Sequence, residues 1–167
     1  SEFVYAPPKQ VGKNSIVVIT SMRGTKETIE AAEAAKALGA VTVSQYVEES
    51  GLTEICDYNV PYGSIWEDDK DQGKTNAGNA LRIAMAIVDI VEGYDHYDDA
   101  MDAFTKIQPA YQKAKEYCGP LAKKWAQQIK DEKCITVLAS GPAYGSGHIF
   151  STCNILEMLQ IHSPMFN

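Results

Sequence analysis

The sequence predicts an open α/β fold with parallel sheets flanked by helices. Three observations carry this. The run "SIVVIT" (15–20) is apolar and β-branched without polar alternation, the pattern of a strand buried on both faces. An alanine-rich stretch and a second strand-like run, "AVTVSQY" (40–46), follow it, so the order is strand–helix–strand. The same device of strand, hydroxyl- and glycine-rich turn, then helix returns at "CITVLASGPAYGSGHI" (134–149), a hint of internal duplication.

Each element has a local reason. Residues 25–38 form a helix with Ile29, Ala32, Ala35, Ala37 and Leu38 at small or apolar positions, and Gly39 is a natural stop. "ESGLTEI" reads as a short turn or helix, and "CDYNVPY" as a short strand ended by Pro61. From about residue 63 the composition changes. "SIWEDDKDQGKT" reads as a solvated acidic loop, and helices follow over 75–92, ended by Gly93, and over 96–118. Pro109 should kink or divide the second of these, and Pro120 suits the first turn of a third helix running to Lys130. After the strand at 134–141, a last helix places Ile149, Cys153, Leu156 and Leu159 on one stripe. The expected organisation is a first partial domain over 1–62, a helical connector over 63–131, and the start of a second domain over 132–167.

The formal charge of −7 over 167 residues argues against non-specific binding to nucleic acid or to anionic membranes, though a local site can oppose it. No stretch approaches the length of an apolar membrane span, and "SEFVYAPPKQ" lacks the layout of a signal peptide. Cys56, Cys118, Cys134 and Cys153 are scattered without metal spacing. They are expected to be reduced and mostly buried, in a cytoplasmic protein.

Two turns carry candidate chemistry. A turn at the C-terminal end of a parallel strand points backbone N–H groups and a helix N-terminus over the sheet edge, which favours anions. Thr20, Ser21 and Thr25 supply hydroxyls, Gly24 permits close backbone approach, and Arg23 could add a forked donor. Thr25 serves equally well as a plain N-cap, and both roles can hold. Neither a Walker loop nor a dinucleotide fingerprint is present. The second turn, "GPAYGSGHI" (141–149), offers Gly141 and His148, with Ser140 just before it, or is a simple connection. Glu157 lies among Leu156, Met158 and Leu159, where apolar surroundings would raise its pKa toward proton-transfer use. An exposed helix face that happens to carry a glutamate is the plainer alternative. His162 lies five residues on from Glu157, not the i+4 of a metal pair, so no metal is expected; His96 reads as solvated or capping.

These segments resemble the sugar isomerase (SIS) domain family, in particular its two-domain fructosamine-6-phosphate deglycases. "VGKNSIVVITSMRGTKETIEAAEAAKALGA" is similar to the middle of a first SIS domain, "EGYDHYDDAMDAF" to the spacer of the deglycases, and "VLASGPAYGSGHIFSTCNILEMLQIHS" to the opening of a second SIS domain. The resemblance implies a flavodoxin-like layering and a phosphosugar ligand. Thr20, Ser21, Gly24, Thr25 and Glu27 stand where the family has S-x-S-G-x-T-x-E, but Met22 and Arg23 occupy the usual second Ser and Gly. By the same resemblance Glu157, in "LEMLQIHS", is the catalytic base, facing a cleft. Arg23, Ser140, Gly141 and His148 are further substrate contacts, no metal or organic cofactor is implied, and a homodimer is expected. Family members begin with an earlier strand and continue past "IHSPMFN" with a segment close to G-E-x-x-H-G-P. On that basis the chain is expected to be the central portion of a longer protein, with open strand edges. The implied activity is deglycation; aldose–ketose isomerisation and non-enzymatic sugar-phosphate sensing are the alternatives.

Overall fold

The computed structural model describes residues 2–63 and 71–167. The acidic stretch read as a loop lies mostly outside these residues. The chain divides into two compact units, Ser1–Ala114 and Lys115–Asn167.

In the first unit, α1 (Glu2–Tyr5) precedes β1 (Ile16–Thr20), α2 (Lys26–Ala37), β2 (Val41–Tyr46), α3 (Gly51–Ile55) and β3 (Tyr58–Pro61). The three strands form one parallel sheet in the order β1-β2-β3. The expected parallel α/β architecture is therefore present, with β2 in the middle. Register explains the packing. Val17 and Ile19 share a face with Thr42 and Ser44, and on that face Ile19 packs with Ala32 of α2, Leu52 of α3 and Cys56, supported by Ile29 and Ile55. The opposite face of β1 leaves Ile16 and Val18 exposed. By ladder alternation, Ile16, Val18 and Thr20 turn their main-chain groups away from β2, to a side where no strand among the described residues pairs, since Ser15 O accepts from Val41 N and Ser21 N donates to Gln45 O. Gln45 is fully buried, yet among the described residues neither its amide N nor its amide O has a partner. Gly39 ends α2 with φ 87, as its position predicts.

A polar clamp holds the β2 start to the β3 entrance. Asp57 Oδ2 accepts from Thr42 N at 2.9 Å and from Thr42 Oγ1 at 2.8 Å, while Asp57 N donates back to Thr42 Oγ1 at 3.1 Å. Lys36, in the last turn of α2, donates to Ile55 O at 2.7 Å and pairs with Asp57 Oδ1 at 2.9 Å. The Thr42 backbone N–H first, then Lys36 and the Thr42 hydroxyl, lower the Asp57 carboxyl from 3.8 to about 2. A depressed carboxylate contributes stability above its unfolded pKa and loses it as pH falls through the folded one. Urea midpoints should therefore fall between pH 4 and pH 2 more steeply in the parent than in Asp57→Asn, and the two curves should converge near pH 2. Parallel curves would show that the clamp makes no pH-dependent contribution.

The same unit continues with a 3-10 turn (Gln72–Lys74), α4 (Asn76–Glu92), α5 (Tyr97–Thr105) and the start of α6 (Ile107–Ile129). Thr75 caps α4 through Gly78 N at 3.2 Å, and Gly93, at φ 80, ends it. The proline expectations need correction. The break between α5 and α6 falls at Lys106, and Pro109 sits in the first turn of α6, where a missing N–H costs nothing. Pro120 starts no helix but lies inside α6. The carbonyl it leaves unpaired, that of Glu116, belongs to an exposed stretch that water can serve.

In the second unit the expected strand at 134–141 shortens to β4 (Val137–Leu138), paired in parallel with β5 (Met165–Phe166), plus a bridge between Cys134 and His162. After a 3-10 turn (Gly141–Ala143), α7 (Tyr144–Ile149) runs directly into a π-helix, Phe150–Met158. The wider winding alters the stripe. Ile155 and Ser151 are buried, whereas Ile149, Cys153, Leu156 and Leu159 are exposed. Ser151 Oγ donates to Ser163 O at 2.7 Å, and Ser163 Oγ donates to Ile135 O at 3.0 Å, which ties the helix to both chain segments beside it. The cysteines also depart from expectation. All four are free thiols, but only Cys56 is buried, and burial pushes its thiol up.

Candidate functional site

The turn at the end of β1 is built by short-range hydrogen bonds. Ser21 Oγ accepts from Gly24 N at 3.1 Å and from Thr25 N at 3.4 Å, so one hydroxyl gathers the two amides that an anion would use. Gly24 has φ 65, a left-handed conformation that costs other residues energy. It also packs tightly, since a Cβ there would lie 2.2 Å from Ser50 Oγ and 3.2 Å from Leu52 Cβ. Met22 O accepts from Val47 N and Glu48 N at 3.1 and 2.9 Å, which clasps the turn to the loop before α3. Ser50 caps α3 reciprocally with Thr53. The hydroxyls of Thr20, Ser21 and Thr25 thus share one turn, with Ser50 against Gly24. Nothing in the sequence marked Ser50 beyond its place before "GLTEI".

Thr25 occupies the N-cap position of α2, but its side chain makes no capping bond. Its hydroxyl lies 3.3 Å from Thr28 Oγ1. Glu27 follows in the first turn; its own backbone N–H, and after it the Thr25 hydroxyl, hold its carboxyl below the usual range. Arg23 Nε donates to Glu48 at 3.2 Å in an exposed pair of the kind that contributes little.

The other candidates belong to the second unit. Ser140 precedes the 3-10 turn without capping it, Gly141 has φ 56, and both are exposed. Ser140 lines a shallow cleft of ≈ 410 Å³ with Leu138, Ala139, Ala143 and Asn167, in which Gly141 and His148 take no part. Gly147 fits where a Cβ would lie 2.6 Å from Ala139 Cβ, so α7 packs closely on β4. Glu157 stands one residue before the end of the π-helix and is exposed; its carbonyl accepts from Gln160 Nε2 at 2.6 Å. Gln160 itself adopts φ 57. Among the described residues no cluster of three or more His, Cys, Asp or Glu could hold a metal ion, and no helix is long and apolar enough to cross a membrane.

No family model matches the chain. Fructosamine deglycase FrlB of Bacillus subtilis (strain 168) is 32% identical over 165 residues, which is 98% of this chain and 50% of that protein. A Salmonella typhimurium LT2 structure, solved as a candidate phosphosugar isomerase, matches 99% of this chain and 50% of its own, with TM-score 0.92 and 34% identity. The chain has the parallel α/β fold of these phosphosugar proteins and is similar to them along nearly its whole length. The C-terminal domain of glucosamine-fructose-6-phosphate aminotransferase from Francisella tularensis, at TM-score 0.75 and 18% identity, shares the fold. The chain spans about half the length of the relatives it matches. Its parallel first sheet and the hydroxyl turn at the C-terminal end of β1 are the parts of that fold on which a ligand reading rests.

Proposed function

We propose that the protein is a deglycase of fructosamine 6-phosphates, releasing glucose 6-phosphate and a free amine. The observation that carries this reading is the 32% identity to a fructosamine deglycase along 98% of the chain. The 20–25 turn holds the phosphate. Ser21 Oγ now occupies the acceptor position for the Gly24 and Thr25 amides, and a phosphate oxygen takes that position when bound, with the Thr20 and Thr25 hydroxyls as additional donors. Glu157 removes a proton from C1 of the open-chain ketosamine and returns it at C2. The resulting C1 imine is hydrolysed by water, which expels the amine. Ser140, Gly141, His148 and Arg23 are the further substrate contacts of this reading, and it places the enzyme in the cytoplasm as a homodimer. Aldose–ketose isomerisation uses the same proton transfer, and the likeness to the Salmonella structure supports it as the second reading.

A turnover panel separates the two. The intact protein should release amine from fructosamine 6-phosphates and leave fructose 6-phosphate unchanged; the converse establishes the isomerase, and activity on neither rejects both. In the same panel, calorimetry on Thr25→Ala should show phosphosugar binding weakened by about 1–2 kcal/mol, the scale of a charge-assisted hydrogen bond, with the dephosphorylated analogue unaffected. Equal loss for both ligands would reduce Thr25 to a structural residue of the helix start.

A further inference from the structure

We propose that the cleft at the C-terminal end of β3 is a second anion site, separate from the 20–25 turn, with Arg82 as its recognition group. The cleft has a volume of ≈ 620 Å³ and is lined by Val60, Tyr62, Asp71, Lys74, Asn79 and Arg82 among others, none of them from the turn. The Arg82 guanidinium carbon lies 4.6 Å from the centroid of the Phe104 ring, and Phe104 is buried. Stacking uses the flat face of the guanidinium. Its five N–H donors lie in the plane, at the rim, and remain available. Among the described residues no hydrogen bond or carboxylate engages them. Among the described residues this half-buried cation has no counter-ion, and a bound anion would balance its charge.

The surroundings shape the cleft around that rim. Gly73 is buried 3.4 Å short of Arg82 Nη2, measured from where a Cβ would stand, and such a Cβ would also lie 2.7 Å from Phe104 O. Asn79 is buried and its Nδ2 donates to Pro61 O at 3.2 Å, fixing the wall between α4 and β3. Lys74 stands 3.8 Å from Asp71, so the three charged side chains sum to one positive charge in a chain of formal charge −7. The site does not depend on the end of α4. The Ala77, Gly78 and Asn79 amides already donate to Asn76 Oδ1, Thr75 Oγ1 and Thr75 O. What remains is a planar fork, which fits the paired oxygens of a carboxylate or a phosphate monoester. The site therefore takes a small anion bearing one such group.

The test follows the Arg82 Nε–Hε resonance in ¹⁵N-labelled protein. The protein is titrated with sodium phosphate and separately with sodium succinate, with sodium chloride at matched ionic strength as reference. A saturable shift with phosphate alone assigns a phosphoryl ligand, one with succinate alone assigns a carboxylate, and either supports the site. Read on the Gly73 and Gly78 amides, Arg82→Gln should raise Kd at least about tenfold, and Arg82→Lys, which keeps the charge and loses the fork, should fall between. Thr25→Ala should leave the Arg82 response unchanged, which separates this site from the turn. Absence of a saturable shift with both anions overturns the proposal. So does an unchanged Kd in Arg82→Gln, or a Kd that follows Thr25.

Discussion

Glu157→Gln is expected to lower turnover by about 10²–10⁴, the range for losing a general base, while phosphosugar binding persists. Glutamine matches glutamate in size, and the position is exposed, so folding should be indifferent to the change. What disappears, on the proposed reading, is the group that takes a proton from C1. The decisive reading is isotopic: in deuterated solvent the parent should deliver label to C2 of the product, and the variant should lose that exchange in step with its turnover. If turnover is lost together with binding, Glu157 shapes the site rather than acting in it. Near-parent turnover would remove the residue from the mechanism and leave the deglycase reading without its base. The side chain sits at the end of a π-helix, a winding that recurs at functional sites. It is followed closely by Gln160, whose amide holds the Glu157 carbonyl.

Gly24→Ala should produce the largest loss of stability among single changes near the turn. Two costs coincide there. The left-handed backbone costs a residue with a Cβ about 1–2 kcal/mol, and forcing a methyl group against Ser50 and Leu52 adds about 1–3 kcal/mol. Urea unfolding should therefore show a loss of about 2–5 kcal/mol. Pairing the change with Ser50→Gly isolates the terms, because glycine removes the atoms 2.2 and 3.0 Å away yet caps a helix almost as well as serine. The double variant should regain the packing part and keep the backbone part. No recovery would mean that the φ requirement or Leu52 dominates. A loss under about 0.5 kcal/mol, the size of an ordinary surface change, would mean that the turn adjusts freely.

Much of this architecture could be read from residue order, because local chemistry fixes it. The β-branched runs at 16–20 and 41–46 are strands, Gly39 and Gly93 end helices, and Pro61 ends β3. The hydroxyl turn was legible for the same reason, since Ser21, Gly24 and Thr25 meet through bonds spanning three or four residues. Long-range placement was not legible. Ser50 reaches Gly24 only after α2 and β2 have folded back, and Arg82 finds Phe104 only through the packing of α4 with α5. Pro120 misled because an exposed helix tolerates a proline that a packed one would not. The last helix misled because periodicity assumes α winding, and residues 150–158 do not wind that way.

The side of β1 away from β2, uncovered among the described residues, has a colloidal consequence. Among the described residues no strand covers the side of β1 away from β2, where the main-chain groups of Ile16, Val18 and Thr20 lie beside the exposed Ile16 and Val18 side chains, the kind of edge on which a further strand can add. The formal charge of −7 opposes that encounter through mutual repulsion, which salt screens. Association of this chain through that side of β1 is therefore expected to stay low in dilute buffer and to rise with added salt.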